Sequence, residues 1–187
     1  GGGVFMRVNS TFTMDGGEIK DCFATSSFKW ADAGMNYPWI ASAGGGVFVS
    51  GGSSFVMKGG TISNNKASEM GGGVAVVASA DEIDSGGSGN LKSSAQILGG
   101  TISGNEANDG AGVLSSAYFY NPYYLCADTP NVGAAEKPGL FLKNATITNN
   151  TANQDEGYGA GVLAIKMKSP AAAEIRDCTI TNNNAAV

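Results

Sequence analysis

The sequence predicts an all-β chain wound into a right-handed parallel β-helix, a solenoid of about five coils with long loop insertions. Three observations predict it. Glycine-led valines recur along the whole chain; an isoleucine followed by a polar pair recurs out of phase with them; and apolar residues alternate at period two between those columns.

The first column is Val4, Val47, Val74, Val113 and Val162, each preceded by a glycine (Gly3, Gly46, Gly73, Gly112, Gly161). The second is Ile19, Ile62, Ile102, Ile147 and Ile180, with Ala24, Ala67, Ala107, Ala152 and Ala185 five residues on. Between them lies Phe12/Met14, Phe55/Met57, Ala95/Ile97, Leu140/Leu142 and Ala173/Ile175, a run with one face to be buried. Each copy thus predicts three short strands. The shortest advances 27 residues from Val47 to Val74 without a hairpin dipeptide, which favours a coil over antiparallel ribbons. Equivalent strands then stack in parallel about 4.8 Å apart, and parallel crossovers are right-handed by default.

Two corners follow. The glycines sit where the chain turns sharply and where neighbouring coils approach closely. At the opposite corner the first residue of the polar pair is suited to a left-handed conformation, and the second can stack its amide on the coils above and below. Asn65, Asn105, Asn150 and Asn183 are the candidate ladder, with Cys22 in their place in the first coil.

The chain forms one domain over residues 1–187. Its opening on GGGVFM and closing on ITNNNAAV, both at repeat boundaries, are expected of a segment of a longer solenoid. Only 14% of residues are charged, the net charge is −5 and there is no histidine. Nucleic acid is not an expected partner, because phosphate neutralisation needs clustered Lys and Arg. No apolar run reaches the roughly 20 residues that span a bilayer. Cys22, Cys126 and Cys178 lack metal-ligand spacing, and no metal or cofactor is expected. Cys22 and Cys178 read as small buried apolar residues, and Cys126, in an insertion, as the candidate for a bridge or a free thiol.

GGGVFV followed by TISNNKA resembles the repeats of polymorphic outer-membrane proteins and related bacterial surface adhesins. The likeness covers all five coils but not the insertions, and it departs where Ile replaces Phe before the asparagine pair. It implies a secreted or cell-surface structural protein with an adhesin role on a pectin-lyase-like fold.

The insertions, at about 25–43, 78–93 and 115–138, hold the chain's unusual residues. The first contains Trp30 and Trp39, read as cover for a solenoid edge. The third contains Tyr118, Tyr120, Tyr123 and Tyr124, where edge capping and a stacking platform for sugar fit equally. These six aromatics are the candidate binding residues. The second and third insertions leave adjacent coils at one corner.

Catalysis is not expected. Parallel β-helices that cleave acidic polysaccharides need a carboxylate cluster or pair, yet the outward column Thr13, Val56, Gln96, Phe141 and Glu174 holds only one acid. Asp81, Glu82 and Asp84, and Asp155 with Glu156, read as solvated loops. Thr61/Ser63, Thr101/Ser103, Thr146/Thr148 and Thr179/Thr181 make two outward hydroxyl files that resemble the ice-binding faces of some β-solenoids. Glu18 and Lys20 interrupt that array, and such residues are ordinary exposed strand residues. Asn9, Asn144 and Asn149 match the glycosylation acceptor pattern, which matters only in a secretory eukaryote. The expectation is therefore an extracellular, non-catalytic module whose partner is a glycan, a protein ligand or neighbouring chains. The alternatives are a lyase or hydrolase with catalytic coils elsewhere, or an architectural subunit of a large assembly.

Overall fold

The computed structural model describes residues 1–7, 9–25, 43–77, 93–116, 139–153, 157–165 and 173–185. Within them the chain is an all-β parallel solenoid of five coils, each contributing four strands. The first coil holds β1 (Val4–Met6), β2 (Thr11–Met14), β3 (Glu18–Lys20) and β4 (Phe23–Ala24), the second β5 (Val47–Val49), β6 (Ser54–Met57), β7 (Thr61–Ser63) and β8 (Lys66–Ala67). The third holds β9 (Val74–Val77), β10 (Ser94–Ile97), β11 (Thr101–Ser103) and β12 (Glu106–Ala107). The fourth holds β13 (Val113–Ser116), β14 (Gly139–Lys143), β15 (Thr146–Thr148) and β16 (Thr151–Ala152). The fifth holds β17 (Val162–Ile165), β18 (Ala173–Arg176), β19 (Thr179–Thr181) and β20 (Asn184–Ala185).

Stacking gives four five-stranded parallel sheets, named here for their inward residues: valine, phenylalanine–methionine, isoleucine and alanine. The register is in phase throughout, so Val4 pairs with Val47, Met14 with Met57, Ile62 with Ile102 and Ala107 with Ala152. The alanine sheet corrects the expectation of three strands per coil. Its strands are two residues long, too short for any alternation to register in sequence.

The inward residues of the first three sheets form one core, which includes Val47, Phe55, Met57, Ile62, Ile102, Leu142 and Ile147, all 0% exposed. Phe12 stacks on Phe55 with ring centroids 5.7 Å apart. The alanines form a second, thin cluster with Ala111 and Ala160. The valine sheet departs from the one-buried-face reading. Its outward residues Phe48, Ala75 and Leu114 are also wholly buried and cluster with Ala43, Met70 and Val77. A parallel sheet buried on both faces reads as a continuous apolar run, which VFV and VAVV are.

The asparagine corner carries the polar interior. Asn65, Asn105 and Asn150 are fully buried. Asn65 Nδ2 donates to Asn105 Oδ1 (3.0 Å), Asn105 Nδ2 to Asn150 Oδ1 (2.9 Å) and Asn150 Nδ2 to Asn183 Oδ1 (2.8 Å). The other Nδ2 proton goes to the isoleucine carbonyl of the preceding coil: Ile19, Ile62, Ile102 and, for Asn183, Ile147. Each Oδ1 also accepts the backbone N–H of the residue before it in the ladder, beginning with Cys22. Every buried amide is therefore satisfied on both sides. The residue ahead of each ladder position has positive φ: Asp21, Asn64, Gly104, Asn149 and Asn182.

The glycine before each valine makes room for that ladder. A Cβ on Gly73 would stand 2.5 Å from the Gly112 carbonyl oxygen and 3.0 Å from Asn105 Nδ2. A third corner changes type along the stack. Gly60 and Gly100 turn with φ of 91° and 90°, whereas in the last two coils the positive φ moves one residue earlier, to Asn144 and Asp177. The following residue then points inward, which buries Ala145 and packs Cys178 against the core. Cys22 and Cys178 are free and only half-buried, not the buried residues expected, because each lies in an end coil. Cys126 lies outside the described residues.

Replacing Asn105 by Leu removes the acceptor of the Asn65 N–H and Nδ2 and the donor to the Ile62 carbonyl, all within the core. Urea unfolding is expected to show a loss of about 4 kcal/mol, from several buried groups left unpaired. Asn183→Leu, where water can substitute, is expected to cost about 1 kcal/mol.

Candidate functional site

The corner between the valine and phenylalanine–methionine sheets is where coils three to five are interrupted. The chain departs after Val77, Ser116 and Ile165, which are register partners, and returns at Ser94, Gly139 and Ala173. Val77–Ser116 and Ser94–Gly139 are direct strand neighbours, so the two long insertions start and finish side by side. The six aromatics Trp30, Trp39, Tyr118, Tyr120, Tyr123 and Tyr124 lie outside the described residues, as do Asp81, Glu82, Asp84, Asp155 and Glu156. The structure thus places the bases of the insertions and not their aromatic side chains.

The same corner is tied together in coils one to three by serines that the sequence reading passed over. Ser53 and Ser93 are fully buried. Ser53 Oγ accepts the Ser10 N–H at 3.1 Å and Ser93 Oγ accepts the Gly52 N–H at 3.2 Å, while Ser50 Oγ donates to the Met6 carbonyl. The signal was present: serine stands two residues before Phe12, Phe55 and Ala95 alike. The corner donors Ser10 N–H and Gly52 N–H are thus met by side-chain oxygens, and those of Asn9, Ser50 and Ser53 by backbone carbonyls.

The corner at the other edge of the valine sheet, between the alanine and valine strands, holds two acids in successive coils, Glu69 and Asp109. Asp109 is only 8% exposed and accepts the Tyr158 N–H at 2.9 Å. Burial raises its carboxyl above the ordinary value, with the Tyr158 bond opposing. Glu69, more open to solvent, is raised by desolvation and by the Asp109 charge, against a bond with Asn108. Sequence offered no mark for this pair, since Met70, not an acid, is the register partner of Asp109.

Elsewhere the outward surfaces are ordinary. Thr13, Val56, Gln96, Phe141 and Glu174 do share a column. The hydroxyl files of the isoleucine sheet run in register, with Thr148 and Thr181 Oγ1 atoms 3.3 Å apart. Lys66 pairs with Glu106 across coils at 2.5 Å, exposed and of small worth. Among the described residues no group of three or more His, Cys, Asp or Glu could hold a metal ion, and no helix is long and apolar enough to cross a membrane. No family model, curated protein or solved structure matches the chain.

A raised folded-state value means that Asp109 favours folding only while protonated. That contribution is present below the ordinary value of 3.8 and is lost as pH rises through the folded one. Asp109→Asn keeps an acceptor for Tyr158 and is expected to melt higher than the parent at pH 7. Thermal melts across pH should show the difference closing toward pH 3.

Proposed function

We propose that this chain is a non-catalytic, extracellular or cell-surface β-helix of the structural or adhesin kind. Its coils hold aromatic insertions in fixed relative positions for a glycan or protein partner. The observation that carries the reading is the in-register base that roots the tyrosine insertion beside the polar insertion of the preceding coil, Val77 on Ser116 and Ser94 on Gly139. Loops rooted in neighbouring strands cannot move apart at their bases by more than the sheet spacing, so little ordering cost remains at the root when a ligand bridges them.

The resemblance of GGGVFV and TISNNKA to polymorphic outer-membrane protein and surface-adhesin repeats supports the surface location. The concentration of Tyr118, Tyr120, Tyr123 and Tyr124 in one insertion supports contact with sugar, because flat apolar rings with a polar tip stack well on pyranose faces. Among the described residues the column of Thr13, Val56, Gln96, Phe141 and Glu174 holds one carboxylate and no pair, which supports a binding role over cleavage.

Affinity electrophoresis through gels cast with acidic or neutral polysaccharides checks this. The intact chain is expected to be retarded by one glycan class, and a variant lacking residues 117–137 to run freely while keeping its strand signal by circular dichroism. Equal mobility of both chains in every gel would move the role to protein docking.

A further inference from the structure

The turn that carries the chain from the third coil into the fourth holds Asp109, and the turn from the fourth into the fifth holds Tyr158. Between Ala107 and Asp109 stands one residue, Asn108, whereas residues 153–157 separate Ala152 from Tyr158. One turn earlier the backbone bonds its neighbour directly. There the Asp109 N–H donates to the Glu69 carbonyl at 3.0 Å, and the Gly71 N–H donates to the Asp109 carbonyl at 2.9 Å. Between Asp109 and Tyr158 only half of that pattern survives. The Gly110 N–H donates to the Tyr158 carbonyl at 2.8 Å, but the Tyr158 N–H goes to Asp109 Oδ1 at 2.9 Å. Where the connection is longer, a carboxyl oxygen thus takes the place of the backbone acceptor.

This substitute acceptor is ionisable and almost out of water. Asp109 is 8% exposed, in one column with Ala43 and Met70, which pack with Phe48, Ala75 and Leu114 on the outer valine face. Among the described residues it receives one hydrogen bond, where an ionised carboxylate has room for about four. Glu69 is the acid of the turn below. Lys66 and Glu106, on the adjoining alanine strands, pair with each other at 2.5 Å. The outward valine-strand residues carry no charge, and Asp155 and Glu156 lie outside the described residues.

We propose that Asp109 is a proton-operated latch on this corner, fastening Tyr158 to the solenoid when the carboxyl is neutral and releasing it when ionised, with the strands left in register. A neutral carboxyl keeps a carbonyl oxygen for the Tyr158 N–H and buries no charge. An ionised one accepts that bond more strongly but loses its water. Burial is the larger influence, since it lifts the carboxyl above its ordinary value against the pull of the Tyr158 bond. The closed corner therefore favours the protonated form. Its advantage is complete below 3.8 and fades as pH rises through the folded value. Opening hydrates the carboxylate and gives up the two bonds at Tyr158, so it needs no coil to unwind.

Amide hydrogen exchange followed by NMR at pH 4 and pH 7, with rates normalised to those of the unstructured chain, tests this. At pH 7 the protection of Tyr158 and Gly110 is expected to be severalfold lower than at pH 4. That of Gly73, which donates to the Ala111 carbonyl in the same stack of turns, should hold. Asp109→Asn keeps an acceptor without the charge and should leave Tyr158 equally protected at both pH values. Should that variant not fold by circular dichroism, the Tyr158 amide shift of the parent chain is followed against pH and should titrate with a midpoint above 3.8. A loss of protection shared equally by Gly73, or one that persists in Asp109→Asn, would overturn the latch. So would Tyr158 protection indifferent to pH, or an amide shift with its midpoint at or below 3.8.

Discussion

A side-chain amide buried inside an apolar solenoid must place two donors and one acceptor, and the groups with matching geometry are the same amides one coil away. Asn105 shows the full pattern, giving one proton to Asn150 Oδ1 and one to the Ile62 carbonyl while its oxygen takes the N–H and Nδ2 of Asn65. That arrangement tolerates no slip. A shift of one residue in any coil would carry the amide out of the stack and leave several buried polar groups unpaired, a cost of several kcal/mol against a total stability of about 5–15 kcal/mol. The apolar columns oppose the same slip, because a shift of one residue would turn each inward Ile toward solvent. Ladder and columns together hold Val over Val and Ile over Ile, and the glycine column follows from the ladder, because a side chain on Gly73 would strike both the ladder amide and the next coil's carbonyl.

From register comes the placement of everything else. Coils locked in phase bring the roots of the two long insertions together at one corner, and they align the serines that satisfy that corner's backbone in coils one to three.

Much of this was legible in sequence because a solenoid repeats its inward residues. Five aligned valines, isoleucines and alanines name the core columns without any appeal to a fold library, and the asparagine column stands out because a polar residue recurs in phase with them. Three features were not legible, each for a physical reason. The alanine sheet has two-residue strands, too short to display a period. The outer face of the valine sheet is apolar at Phe48, Ala75 and Leu114, whereas alternation presumes that one face meets water. The Asp109 carboxyl is buried by packing between coils, at a position where the neighbouring coil has Met70. The candidate binding aromatics sit in segments without repeats, so neither column alignment nor the described structure places them.

Amide hydrogen exchange followed by NMR measures the ladder most directly. If the stacked amides hold the register, the backbone N–H groups of Asn65, Asn105 and Asn150 open only with global unfolding, and their protection matches the stability from denaturant titration. Their Nδ2 protons should be slowed alongside them, while the amides of the exposed corner at Gly16 and Gly17 exchange far faster. Ladder amides that exchange as readily as that corner would contradict the account, and would assign the register to the apolar columns alone.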